Sequence, residues 1–164
     1  MALYHDFWLL PEDKHPYTDY HHLLSRHDAP VRLHDDLLRY FSDTLSWIPT
    51  LNPAKESMPM GYGLNWYGPT IINQAGGALF QGVCTAWAQL FACGPQQLKL
   101  RVGYSWQWPF EESERLVNED QLHTFGRYEH LEIDRDRLVH MLTTLAQFGE
   151  QASRDEFYIL HLGI

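Results

Sequence analysis

The side chains best suited to chemistry in this 164-residue chain are two thiols, ten imidazoles and several clustered carboxylates. Cys84 and Cys93 lie nine residues apart in what reads as one helix. At roughly 100° per residue they point to opposite sides, which disfavours a disulfide. Six histidines fall in the first 34 residues: His5, His15, His21, His22, His27 and His34. A metal centre wants two imidazoles at i, i+4 on a helix, or a histidine with converging carboxylates. His22 and His27 are five apart and no His-Glu-x-x-His run exists, so surface and partly packed imidazoles are expected, with no metal and no cofactor. Asp35 and Asp36 are adjacent and would diverge by about 100° on a helix, which suits capping better than acid–base work. Gly77-Ala-Leu-Phe-Gln-Gly82 has phosphate-loop glycine spacing, but Val83 and Cys84 stand where Lys and Ser or Thr are needed.

One segment carries a resemblance. Gln81-Gly82-Val83-Cys84-Thr85-Ala86-Trp87 resembles the nucleophile segment of papain-like and transglutaminase-like cysteine enzymes. The resemblance implies a hydrolase or acyl transferase in which Cys84 attacks a carbonyl, His123 is the base and Asp134 its orienter. Against this, the helical pattern begins well before Cys84. That places the thiol in mid-helix, away from the terminal dipole that would lower its pKa.

These residues must be positioned by a recognisable set of elements. Leu3–Leu10 reads as a strand, Thr18 as the cap of a helix over Asp19–His27, and Val31–Leu33 as a brief strand. Leu37, Leu38, Phe41, Leu45 and Ile48 predict one helix from Asp35 or Asp36 to about Trp47. Met58–Gly63 reads as a connector, and Leu64–Tyr67 and Thr70–Ile72 as short extended pieces. A helix from about Gln74 to Cys93 places Leu79, Val83, Ala86 or Trp87, and Leu90 on its apolar stripe and predicts burial on most sides. Gln81, Thr85 and Gln89 interrupt its run and no Lys or Arg flanks it, which argues against a membrane span. Gln97 to Trp108 alternates apolar and polar as a half-buried strand should. Tyr128–Ile133 is a further strand, Asp134 caps a helix to about Ala152, and the apolar Phe157–Leu162 should lie inside the sheet. The expected fold is α+β: a single domain over 1–164, with one mixed or mostly antiparallel sheet against about four helices.

Charge narrows the choice of partners. Twelve Lys and Arg against 21 Asp and Glu leave a formal charge of −9, unsuited to nucleic acid or to an anionic membrane surface. Ser57–Leu98 contains no charged residue and no histidine. Glu111–Asp136 holds nine acids and three bases, 3 − 9 = −6 of the total. Trp106, Trp108 and Phe110 immediately precede it, so Glu111, Glu112, Glu114, Glu119 and Asp120 stand beside aromatic anchors, as in an electrostatically steered interface. Trp47-Ile-Pro-Thr-Leu-Asn-Pro53, Gly63-Leu-Asn-Trp-Tyr-Gly-Pro-Thr-Ile-Ile72, Trp87-Ala-Gln-Leu-Phe91 and Tyr158-Ile-Leu-His-Leu-Gly-Ile164 are similar to segments of small bacterial immunity-type proteins of polymorphic toxin systems. That resemblance implies a noncatalytic cytoplasmic module that binds and neutralises a cognate toxin domain, a basic one given this charge. The N-terminus lacks the basic start and apolar run of a secretory signal, in keeping with a cytoplasmic location. A homodimer through Trp106 or Trp108 is the competing use of the aromatics.

Overall fold

Antiparallel pairing organises the molecule from its two ends inward. The computed structural model describes residues 3–12, 20–23, 28–106 and 126–164. Strands β1 (Tyr4–Pro11), β2 (Val31–His34), β3 (Pro49–Leu51), β4 (Met60–Tyr62), β5 (Pro69–Ile72) and β8 (Phe157–Leu162) form one sheet in the order β2-β1-β8-β5-β3-β4. Every neighbouring pair in it is antiparallel. The C-terminal β8 is central, as its unbroken apolar run requires. β6 (Gln97–Trp106) and β7 (Gly126–Asp134) pair separately as a two-stranded ribbon. Four α-helices complete the described residues: α1 (Asp35–Tyr40), α2 (Ser42–Leu45), α3 (Gln74–Ala92) and α4 (Arg135–Ser153). The fold is α+β.

Strand alternation sends the central sheet's side chains to two cores. Phe7, Ile72 and Ile159 face the helices and join Leu38, Phe80, Leu138 and Leu142. Trp8, Ile71, Leu160 and Leu162 face the other way and pack with Tyr20 and Leu23 beside the short 3-10 turn His21–Leu23. The rest of the helix expected over Asp19–His27 lies outside the described residues, apart from Tyr20.

α3 and α4 cross where Gly77 meets Gly149. A Cβ on Gly77 would lie 2.8 Å from the Gly149 carbonyl oxygen, and one on Gly149 would lie 2.8 Å from that of Gly77. Only glycine admits such close backbone approach. This contact sets the rotation of α3 and corrects the expected stripe. Gly76, Gly77, Phe80, Val83, Cys84, Ala88 and Phe91 turn inward, while Leu79 and Leu90 are exposed, the latter by 59%. The helix is therefore open to solvent along one uncharged face and is not buried on most sides. Among the described residues no helix is long and apolar enough to cross a membrane.

Other boundaries moved for local reasons. The helix expected from Asp35 to Trp47 breaks at Phe41, whose backbone (φ −122°, ψ 23°) leaves the helical region as its ring enters the core. The Phe41 carbonyl then starts α2, accepting the Thr44 N–H at 3.1 Å and the Thr44 hydroxyl at 2.8 Å. The Met58–Gly63 connector contains β4, hydrogen-bonded to β3 but with Met60 and Tyr62 exposed, so no apolar alternation announces it. Gly63 then turns the chain at φ +78°, a conformation that favours glycine. Leu64–Tyr67 is not extended throughout: the Tyr67 N–H donates to the Asn65 side-chain oxygen at 3.3 Å, making a turn.

Candidate functional site

The three central strands bring together polar side chains that lie far apart in sequence. His5 on β1, His161 on β8 and Thr70 on β5 all sit on the helix-facing side of the sheet. Thr70 is the register partner of His161, and His161 that of Phe7, two residues beyond His5. α1 begins directly after β2, which is paired with β1, and its first residue Asp35 is carried inward against His5. His5, Asp35, Thr70 and His161 are all buried, His161 completely.

Their hydrogen bonds form a chain with one consistent direction. Asp35 Oδ1 lies 3.2 Å from His5 Nε2, and Asp35 Oδ2 accepts from Arg39 at 2.9 Å. A carboxylate can only accept, so His5 carries its proton on Nε2. His5 Nδ1 therefore accepts, and His161 Nε2–H donates to it at 2.8 Å. His161 Nδ1 is left as an acceptor for the Thr70 hydroxyl at 3.4 Å, and Thr70 Oγ1 in turn accepts the Asn65 N–H at 2.8 Å. Each buried polar group thus has a partner, and both tautomers follow.

Burial supplies the electrostatics. It lowers the pKa of His5, an effect that outweighs the opposing hydrogen bond and charge of Asp35. Burial lowers that of His161 much further, assisted by the His5 charge that would form beside it. With both values below the ordinary 6.5, both rings are neutral near pH 7. A proton added at His5 Nδ1 would face the His161 Nε2–H and force the second ring to change tautomer.

His5 also forms part of the wall of a cleft of about 150 Å³ whose other sides include Leu38, Ser42, Leu45, Tyr62, Leu64 and Trp66. The Trp66 ring meets His5 edge to face at 5.0 Å and 86°. A second, larger hollow of about 330 Å³ lies across Tyr62–Asn65 and reaches Thr70 and Lys55. The relay therefore runs from the wall of one recess to the wall of another.

The side chains singled out from sequence are dispersed. Cys84 lies in the core at 3% exposure, ten residues into α3, where burial pushes its thiol far up and keeps it protonated. That environment withholds the thiolate a nucleophile needs. Asp134 caps α4 by accepting from the Arg137 N–H at 2.8 Å and from Gln96 at 2.8 Å, which hold its carboxyl below the usual range. It is a capping residue by geometry. His123, Trp108, Phe110, Glu111, Glu112, Glu114, Glu119 and Asp120 lie outside the described residues. Trp106 ends β6 opposite Gly126.

The ribbon leading to that segment grows more open along its length. Leu98 and Leu100 of β6 are in the core, whereas Tyr128, packed edge to face on Tyr104 at 5.1 Å, is 50% exposed. Arg101 lies over the Tyr128 ring at 4.4 Å, just before a break in register between Arg101 and Tyr104. Glu129, His130 and Glu132 are exposed on β7.

Two residues depart from the sequence expectation. His5 is not a surface or partly packed histidine, and Asp35 is not a helix cap: His34 takes that role, its Nδ1 accepting the Asp36 N–H at 3.2 Å. One signal was present in the sequence, since His161 is the lone imidazole within the apolar run Phe157–Leu162. Among the described residues no three His, Cys, Asp or Glu side chains converge as metal ligands. The direct His5–His161 bond instead turns one ring's lone pair onto the other's N–H. No family model, curated protein or solved structure matches this chain.

Proposed function

We propose that this chain is a noncatalytic, cytoplasmic protein-binding module of immunity or inhibitor type, which binds a cognate basic toxin domain and occludes its site. The observation that carries the reading is the ribbon β6–β7. It is rooted in the core at Leu98 and Leu100, carries the half-exposed Tyr128 against a partly buried Tyr104, and contributes β7 to the Glu111–Asp136 window that holds −6 of the chain's −9. A rigid base, exposed aromatic surface and a field of one sign are what rapid capture of an oppositely charged partner uses. Trp106, Trp108, Phe110, Glu111, Glu112, Glu114, Glu119 and Asp120 would supply the contacts. The buried thiol of Cys84 supports a noncatalytic reading over cysteine chemistry.

Co-expression with the product of the adjacent upstream gene should protect cells and yield a stable complex. Replacing Glu111, Glu112 and Glu114 with Lys should slow association about tenfold or more at low salt and flatten its salt dependence. An unchanged association rate would exclude this steering site, and absence of both complex and protection would sink the reading. Iodoacetamide at neutral pH should label exposed Cys93 and reach Cys84 only after denaturation. Labelling of Cys84 in the native protein would restore the enzyme alternative.

A further inference from the structure

We propose that the cleft beside His5 is a binding site for a small neutral ligand, one six-membered ring in size and bearing one hydrogen-bonding group. This assignment stands independently of the toxin-binding reading.

Size comes from the volume. At about 150 Å³ the cleft matches the cavity dimension that admits a single benzene ring. Shape comes from the walls. Leu45 and Leu64 give apolar contact, and the perpendicular rings of His5 and Trp66 form a corner against which a flat molecule can pack face to one and edge to the other. Neutrality comes from the lining, in which no side chain is charged while His5 is neutral. Behind His5, Asp35 and Arg39 satisfy each other at 2.9 Å. The nearest cation, Arg39 over the Trp66 ring at 5.8 Å, is already paired with Asp35, so an ionic ligand would lose hydration here and find no unpaired counter-charge in the lining.

The polar group on the ligand follows from what the protein leaves unused. Both His5 nitrogens are committed to the relay, so the imidazole offers the ligand a ring surface and no hydrogen bond. Ser42 and Tyr62 line the cleft, and the hydroxyl of neither is hydrogen-bonded to another described residue, although Tyr62 is largely exposed. They can bind one hydroxyl or amine on the ring's rim. A few convergent polar groups in a mostly apolar recess beside a buried titratable cluster is the pattern of a ligand site.

Phenol is the probe, with benzoate and benzylammonium as charged controls of the same ring size. Titrated into the full chain and followed by methyl and indole NMR, phenol should give saturable ring-current shifts at Leu45, Leu64 and Trp66. Both ions should bind at least about tenfold more weakly. Ser42→Ala should weaken phenol by about three- to tenfold, the worth of one hydrogen bond. Ser42→Phe, at a partly exposed helix start, should abolish the shifts while leaving the thermal midpoint within a few degrees. Non-saturable shifts, shifts centred elsewhere, equal binding of either ion, or binding retained in Ser42→Phe would each overturn the assignment. If Ser42→Phe fails to fold, the wild-type shift map and Ser42→Ala decide the matter alone.

Discussion

The relay and the ribbon contain similar side chains and use them in opposite ways. In the relay, a carboxylate, two imidazoles and a hydroxyl are removed from water, and each is matched to a partner at 2.8 to 3.4 Å. In the ribbon, Lys99 and Glu132 stand 4.0 Å apart, with side chains 62% and 64% exposed, and Arg101 rests on an exposed tyrosine ring. Burial decides the difference. A buried polar group left without its partner loses the full cost of desolvation, whereas an exposed one is rescued by water. The relay thus specifies how β1, β5, β8 and α1 come together, and the ribbon's charges remain in water.

The contrast can be broken most forcefully at Asp35. Asp35→Ala strands the buried His5 N–H, while the half-exposed Arg39 guanidinium turns to water, and should cost about 2 to 3 kcal/mol of stability by urea denaturation. A loss below about 1 kcal/mol would mean that the relay is no more important to stability than the surface. The next largest effect is in pH. The folded pKa values of His5 and His161 lie below their unfolded values near 6.5, so the unfolded chain binds more protons below that pH. Stability should therefore be flat above about pH 6.5 and fall as pH drops below it, by up to about 1.4 kcal/mol per pH unit for each histidine. Urea midpoints between pH 8 and pH 5 test the sign, and His161→Gln should flatten the slope. A profile unaffected by that substitution would assign the pH dependence elsewhere.

On the ribbon the effects should be small. A double-mutant cycle on Tyr104 and Tyr128 should return a coupling of about 0.5 to 1 kcal/mol, typical of a cross-strand aromatic pair. Lys99→Ala should change stability by less than about 0.5 kcal/mol and lose even that effect in high salt. A ribbon variant that destabilised the fold as much as Asp35→Ala would erase the distinction. So would an Asp35 variant that altered partner association while remaining folded.

Much of the framework was legible along the chain. Alternation placed β6, Asp134 was recognised as a cap, and the apolar run at the C-terminus marked a central strand. These features are local, and each depends on few neighbours. The failures were also particular. α3 is apolar around most of its circumference, so periodicity could not choose its inward side; contact between Gly77 and Gly149 did. β4 has three residues and no buried face, and only pairing with β3 defines it. The candidate site was hardly legible. His5 was one of six histidines in a polar N-terminal stretch, and nothing nearby indicated a partner 156 residues away.

By itself, therefore, the sequence determined the α+β class, most element positions and a charge distribution in which the middle carries none and one window carries two-thirds. Those properties follow from residue type and short-range spacing. Tertiary structure decided which polar groups are buried, which thiol is silenced and which histidines stay neutral. It did so because antiparallel pairing of β1 and β5 with β8 places His5, Thr70 and His161 on one face, and α1 then closes Asp35 over them. Desolvation and hydrogen-bond direction are properties of that assembly, and no stretch of chain possesses them alone.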